Sequence, residues 1–289
     1  MLSPTLVAQT VVNGVAISAV YILVALGFTL IFGIMRTVNF AHGEFAMLGG
    51  FALFILYGTL KLDFFIALPL AALVVATGSL VFERLVFRPF YQKELQGMIA
   101  TLGLSVALQY SAMIPFGPQD KSVPSAFTSL VELHGLTFAS DRLAVLAIAA
   151  VVLLAFYLFM RFTKMGLAMR AAAQDPEIAE AQGIDSRRVY QSAFFLATLM
   201  AALAGGLIGQ VYSLSPFMGT TPLVKAFTVV ILGGLGSIPG AAAGGLLLGM
   251  GETFLKTFYG AAPADFASFG AIVLLLIWRP QGLFGRGEV

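Results

Sequence analysis

The chain has 289 residues, 59 % of them hydrophobic and 10 % charged, with a formal net charge of +2. Soluble domains carry roughly a quarter charged residues, so this composition cannot cover a water-exposed surface, and a lipid bilayer rather than nucleic acid is the expected partner. With no Cys, disulfides, thiolate metal sites and Cys nucleophiles are excluded.

Apolar segments fall near 10–32, 45–60, 64–84, 97–115, 143–160, 190–212, 222–235, 241–257 and 264–278. The longer runs reach the roughly 17–25 residues that a helix needs to cross a bilayer, and none alternates as a membrane β-strand does. The chain therefore reads as an all-α polytopic helical membrane protein with eight or nine spanning or re-entrant segments. It forms a single membrane domain over 1–289. The first run lacks a basic n-region and a small-residue cleavage pattern, and is expected to remain as the first span.

Between the first two runs lies GIMRTVNFAHGEFAMLGG (33–50), with Arg36, Asn39, His42 and Glu44 close together. His42 and Glu44, two residues apart, do not share a helix face, and the other histidine, His134, falls on a distant loop, so no metal is expected. The residues read as a structural junction at the membrane surface. Asn39 is expected to cap the second span, Glu44 to sit in its first turns near the positive helix end, and Arg36 to be Glu44's charge partner.

Basic residues favour the cytoplasmic side. Arg84, Arg88 and Lys93 place the 85–96 link inside, and Arg161, Lys164, Arg170, Arg187 and Arg188 place 161–189 inside. The link 116–142 is then external, the N-terminus outside and the C-terminus, with Arg279 and Arg286, cytoplasmic. Within 161–189, Asp175 followed by Pro176 is a helix start and Gly183 a helix stop. So short a helix is marginal alone and needs a partner surface. Further on, ILGGLGSIPGAAAGGLLLG (231–249) fits either a small-residue packing face or two half-helices meeting at Gly236–Gly240. No G-x-S-x-G, Walker A or H-E-x-x-H pattern occurs.

Taken together, ALGFTLIFGIMRTVNFAHGEFAMLGG (25–50), GLAMRAAAQDPEIAEAQGID (166–185), GGLGSIPGAAAGGLLLG (233–249) and RPQGLFG (279–285) resemble the inner-membrane permeases of branched-chain amino acid importers of the ATP-binding-cassette type, the shorter permease in particular. The resemblance runs over the whole chain. It implies a non-enzymatic permease subunit in a bacterial inner membrane, working with a second homologous permease, two ATP-binding subunits and a periplasmic solute-binding protein. ATP and Mg would sit in the ATP-binding subunits, and this chain would bind no cofactor. By resemblance, Gly166, Arg170, Ala173, Asp175, Ala179, Gly183 and Ile184 belong to a segment that couples to the ATPase, with Pro176 at the helix start and Ile178 as an apolar knob. Gly233, Gly234, Gly236, Ser237 and Gly240 are candidates for a path or gate. Urea and short-chain amide permeases share most of these motifs. A secondary carrier or channel is the remaining alternative, and its coupling charges would be Lys225 and Glu252.

Overall fold

In the computed structural model, which describes residues 4–91, 93–133, 136–279 and 281–284, the apolar runs become helices. His134, Pro280, Gly285 and Arg286 lie outside the described residues. The elements are α1 (Pro4–Met35), α2 (His42–Leu53), α3 (Phe64–Phe82), α4 (Glu94–Phe116), β1 (Leu130–Leu133), β2 (Leu136–Ala139) and α5 (Ser140–Phe162). They are followed by α6 (Lys164–Gln174), α7 (Pro176–Ala181), α8 (Ser186–Val211), α9 (Thr220–Gly233), α10 (Ile238–Tyr259) and α11 (Ala261–Trp278). Both α2 and α3 end in π-helical turns, Phe54–Thr59 and Glu83–Phe87.

Among the described residues seven helical stretches are long and apolar enough to cross a membrane: α1, α3 with its extension to Phe90, α4, α5, α8, α10 and α11. The shorter α2 and α9 complete the set of nine apolar segments read from the sequence.

The first helix, α1, has no polar stripe, so it must be wrapped by apolar neighbours. It lies at the centre, packed along α5, α8, α9 and α10. The pairing with α10 is antiparallel: Gly14 faces Met250 and Thr253, Ser18 faces Gly249, Ile22 faces Gly245, and Gly33 lies against Gly236. Small residues set these approaches. A Cβ added at Gly205 of α8 would fall 1.8 Å from the Ala46 carbonyl oxygen of α2, and one at Gly49 would fall 2.2 Å from that of Ala202. Close backbone packing of this kind is how membrane helices associate when lipid removes the hydrophobic drive between them. Outward faces of α3, α5 and α11 carry Phe65, Ile66, Leu154, Ile277 and Trp278, as a lipid-facing surface requires.

Two ends of the bundle differ. At one end, here the basic end, Tyr91 meets Tyr190 edge-on at 4.9 Å and Thr37 touches Gly97, which gathers the end of α1 with the starts of α4 and α8. The other is the hairpin end. There β1 and β2 pair antiparallel, the Gln9 amide donates to the Thr137 carbonyl (2.7 Å), and Lys121 and Leu214 exchange two backbone bonds (2.8 and 2.7 Å). The hairpin was not legible in the sequence, because four-residue strands are too short to show a period.

Candidate functional site

Five helices leave a cavity of ≈340 Å³ toward the hairpin end, bounded by α1, the start of α5, the end of α8, α9 and α10, with Asp265 of α11 also at its wall. Its walls are mostly aliphatic, with Val20, Val24, Val145, Ile208 and Val211 among them. The charges are concentrated on one side. Lys225 Nζ of α9 pairs with Glu252 Oε2 of α10 (2.9 Å) and Asp265 Oδ1 (3.3 Å). Lys256, one turn beyond Glu252, pairs with Glu252 Oε1, and the Tyr21 hydroxyl of α1 lies 3.3 Å from both Glu252 oxygens, to which it donates. Glu252 is 2 % exposed, so its charge depends on these partners. Across the cavity, Arg142 places its guanidinium 5.6 Å from the centre of the Tyr212 ring. Lys225 and Glu252 were visible as charges inside apolar runs, but Lys256, which pairs with Glu252 one turn on, was not singled out. Arg142, Tyr21, Tyr212 and Asp265 were missed, because nothing local links them.

The polar stretch after α1 lies deeper than a surface junction. Arg36 takes a left-handed backbone (φ 52°) and turns the chain back on itself. Residues 37–41 then return along the bundle, Phe40 N–H donating to Thr101 Oγ1 (3.1 Å). His42 starts α2 opposite Val24, whose carbonyl accepts from His42 Nε2 at 3.0 Å. Val24 lies eleven residues before the end of α1, or about 16 Å at 1.5 Å per residue, half of a ~30 Å hydrocarbon layer. Two expectations are corrected here. Asn39 does not cap α2: Ala41 is the N-cap, without a side-chain bond, and Asn39 Oδ1 accepts from Ala41 N–H (2.9 Å) to shape the approach. Nor is Arg36 the partner of Glu44. Arg36 is exposed, while buried Glu44 accepts through Oε1 from Gln109 Nε2 (2.7 Å) and Ser105 Oγ (3.0 Å) of α4. Its second oxygen, Oε2, has no hydrogen-bond partner and faces Gly219, the N-cap of α9. Glu44 therefore stands where two helix N-termini, those of α2 and α9, meet, a favourable place for negative charge.

The expected coupling segment folds as two short helices at the basic end. Thr163 caps α6 through Gly166 N–H, and Gly166 itself packs on the backbone of Phe159 and Met160. Asp175 caps α7 through Ile178 N–H (2.9 Å), with Pro176 in its first turn. At the other end Gly183, at φ +86°, donates to Glu180 and Ile184 donates to Ala179, the paired bonds of a glycine-stopped helix. Arg170, Ala173 and Ile178 are exposed, Ile178 at 62 %. Ala179 is buried within this chain at 3 %, so it cannot be the contact offered to a docking partner, and the outward face centres on Ile178.

The Gly-rich stretch forms the turn between α9 and α10. Gly233 and Gly240 touch across it, Gly234 (φ +103°) and Gly236 (φ +78°) bend it, and Ser237 caps α10 through Gly240 N–H (3.1 Å). Residues 283 and 284 bond to the carbonyls of Leu232 and Gly233 (both 2.9 Å) and seal the turn. Both sequence readings hold in part: the chain breaks at Gly234–Ser237, while Gly244, Gly245 and Gly249 form a small-residue face against α9 and α1, and α10, at 22 residues, is a full-length span rather than a half-helix. None of Gly233, Gly234, Gly236, Ser237 and Gly240 lines the cavity.

A membrane bundle of helices with charges drawn into its interior, a glycine-rich break between α9 and α10, and short capped helices packed at its basic end fits a solute permease. The comparisons agree. Residues 10–278 match the family described as branched-chain amino acid transport system / permease component, and the chain belongs to that family. It is 35 % identical to the high-affinity branched-chain amino acid transport system permease protein LivH of Escherichia coli (strain K12), over 97 % of this chain and 96 % of that protein. It is 32 % identical to the corresponding permease protein BraD of Pseudomonas aeruginosa, with the same coverage. A more distant likeness, 26 % over 97 % of this chain and 71 % of the other, is to permease protein LivM of Escherichia coli (strain K12).

Proposed function

We propose that this chain is one of two permease subunits of an ATP-driven importer that moves branched-chain amino acids inward across a bacterial inner membrane. The full-length likeness to LivH and BraD carries the reading, and the short capped α6–α7 pair with Ile178 exposed supports it, since a secondary carrier needs no such docking element. The simultaneous, weaker likeness to LivM supports a homologous second permease as partner. In this reading the basic end is cytoplasmic, the N-terminus and the hairpin end face outward, and a periplasmic solute-binding protein delivers solute there. Two ATP-binding subunits grip α7 around Ile178 and hydrolyse ATP with Mg. This chain hydrolyses nothing. Movement of α7 reaches the bundle because both its ends are fixed, by the Asp175 cap and by the glycine stop.

Orientation is checked by accessibility. The chain has no Cys, so a single Cys at Arg170 should react only with reagents that enter the cytoplasm. Labelling from outside would reverse the topology. For coupling, Cys at Ile178 should crosslink to an ATP-binding subunit with a yield that depends on nucleotide. Ile178→Ala should weaken association by about 1–3 kcal/mol if the side chain is buried in the complex. Because Ile178 touches little of its own chain, the variant should remain folded. Full copurification and normal uptake by both Ile178→Ala and Ile178→Asp would overturn the docking assignment.

A further inference from the structure

Within the cavity the charges do not balance. Lys225, Lys256 and Arg142 line it on the cationic side, Glu252 and Asp265 on the anionic side. Both carboxylates are already engaged by the two lysines. Arg142 has no carboxylate partner among the described residues. Its contact is the face of Tyr212, which holds the guanidinium in place without consuming its hydrogen-bond donors. Asp265, half-exposed, engages Lys225 through Oδ1. The cavity thus presents one unpaired fork of donors, one partly free carboxylate, and branched aliphatic walls from Val20, Val24, Val145, Ile208 and Val211. Its volume of ≈340 Å³ falls at the lower end of the roughly 300–1,000 Å³ of small-molecule sites.

We propose that this cavity is an amino-acid subsite built entirely within one permease chain. The α-carboxylate of the solute bonds to Arg142, its ammonium faces Asp265, and its branched side chain lies on the valine and isoleucine wall. Arg suits the carboxylate because its planar donors match the two oxygens. The ion pairs of Lys225 with Glu252 and Asp265 hold α9, α10 and α11 around the pocket and keep Asp265 aimed into it. The cavity lies at the hairpin end, so the subsite is where solute arriving from outside would first be held. This inference rests on the proposed substrate class.

The test uses the assembled transporter in lipid nanodiscs, irradiated with a diazirine analogue of leucine. Label is expected on α1 between Ala16 and Val24 or on α8 between Leu207 and Val211, and L-leucine should compete for it. Arg142→Ala should reduce labelling about tenfold, the scale of one lost charge-assisted bond, with partial recovery in Arg142→Lys. As competitors, 4-methylpentanoate, which keeps the carboxylate, should outperform 3-methylbutylamine, which lacks it. Label confined to other segments overturns the subsite, as does labelling indifferent to Arg142→Ala. The wild-type map decides the question even if a variant fails to fold. Uptake separates the two levels. Leucine import without cavity labelling removes the subsite and leaves the permease reading standing. Cavity labelling in a transporter that imports no branched-chain amino acid keeps the subsite and removes the proposed transport role.

Discussion

Replacing Gly205 with valine should abolish the folded permease. The first added carbon would lie 1.8 Å from the Ala46 carbonyl oxygen and 2.5 Å from its carbonyl carbon, both backbone atoms of the facing α2. No rotamer relieves a clash with backbone, so α2 and α8 must separate. Overpacking in cores that adjust through side chains costs about 1–3 kcal/mol, and a separation of two helices exceeds that range. The loss would also spread, because α2 packs along α3, α8 and α9 and its first turn carries the Glu44 contacts. Gly251→Ala in α10 is the matched control. Nothing lies within 4 Å of a Cβ there, and a helical Gly replaced by Ala where space allows gains about 0.4–1 kcal/mol. Size-exclusion profiles and thermal melts in detergent should show aggregation for Gly205→Val and an unchanged or slightly raised melting temperature for Gly251→Ala. A monodisperse Gly205→Val permease with a near-normal melt would mean that the α2–α8 contact is looser than described.

What the sequence made legible was local. The limits of the apolar runs fall within a few residues of the helix ends because hydropathy is summed over many positions. The start and stop of α7 were readable because Asp175, Pro176 and Gly183 act on their immediate neighbours. What was not legible depended on residues far apart in the chain. The direction of Ala179 is one case: six residues are too few to reveal a buried face, and its surroundings come from neighbouring α6 and α8. The depth of His42 and Glu44 is another. Polar residues between two apolar runs normally mark a surface loop, and only the return of 37–41 along the bundle, pinned by Thr101, carries them inward. The cavity is the extreme case, since Tyr21, Arg142, Tyr212, Lys225, Glu252 and Asp265 come together from widely separated parts of the chain.

Glu44 gives the second large effect, through a comparison of two substitutions. With no cation paired to it among the described residues, its contribution to the fold comes from accepting bonds from Ser105 and Gln109, both on α4. Glu44→Gln keeps an oxygen of the same reach, so both donors can stay satisfied and the variant should fold nearly as the parent does. Glu44→Ala removes the acceptor. Buried Ser105 Oγ then loses its acceptor, at about 1–3 kcal/mol, half-buried Gln109 Nε2 loses its bond at a smaller cost, and the vacated volume adds a cavity cost. The α2–α4 junction should therefore weaken by roughly 3 kcal/mol or more, seen as a lowered melting temperature and poorer yield of assembled complex. The Gln variant then isolates the charge. If the carboxylate matters only as a hydrogen-bond acceptor, Glu44→Gln should transport normally. If negative charge between the N-termini of α2 and α9 holds those two helices together during transport, Glu44→Gln should assemble normally and import slowly. Equal stability of Glu44→Ala and the parent would remove Glu44 from the junction altogether. Equal damage in Gln and Ala would show that the Ser105 and Gln109 bonds are not what Glu44 supplies.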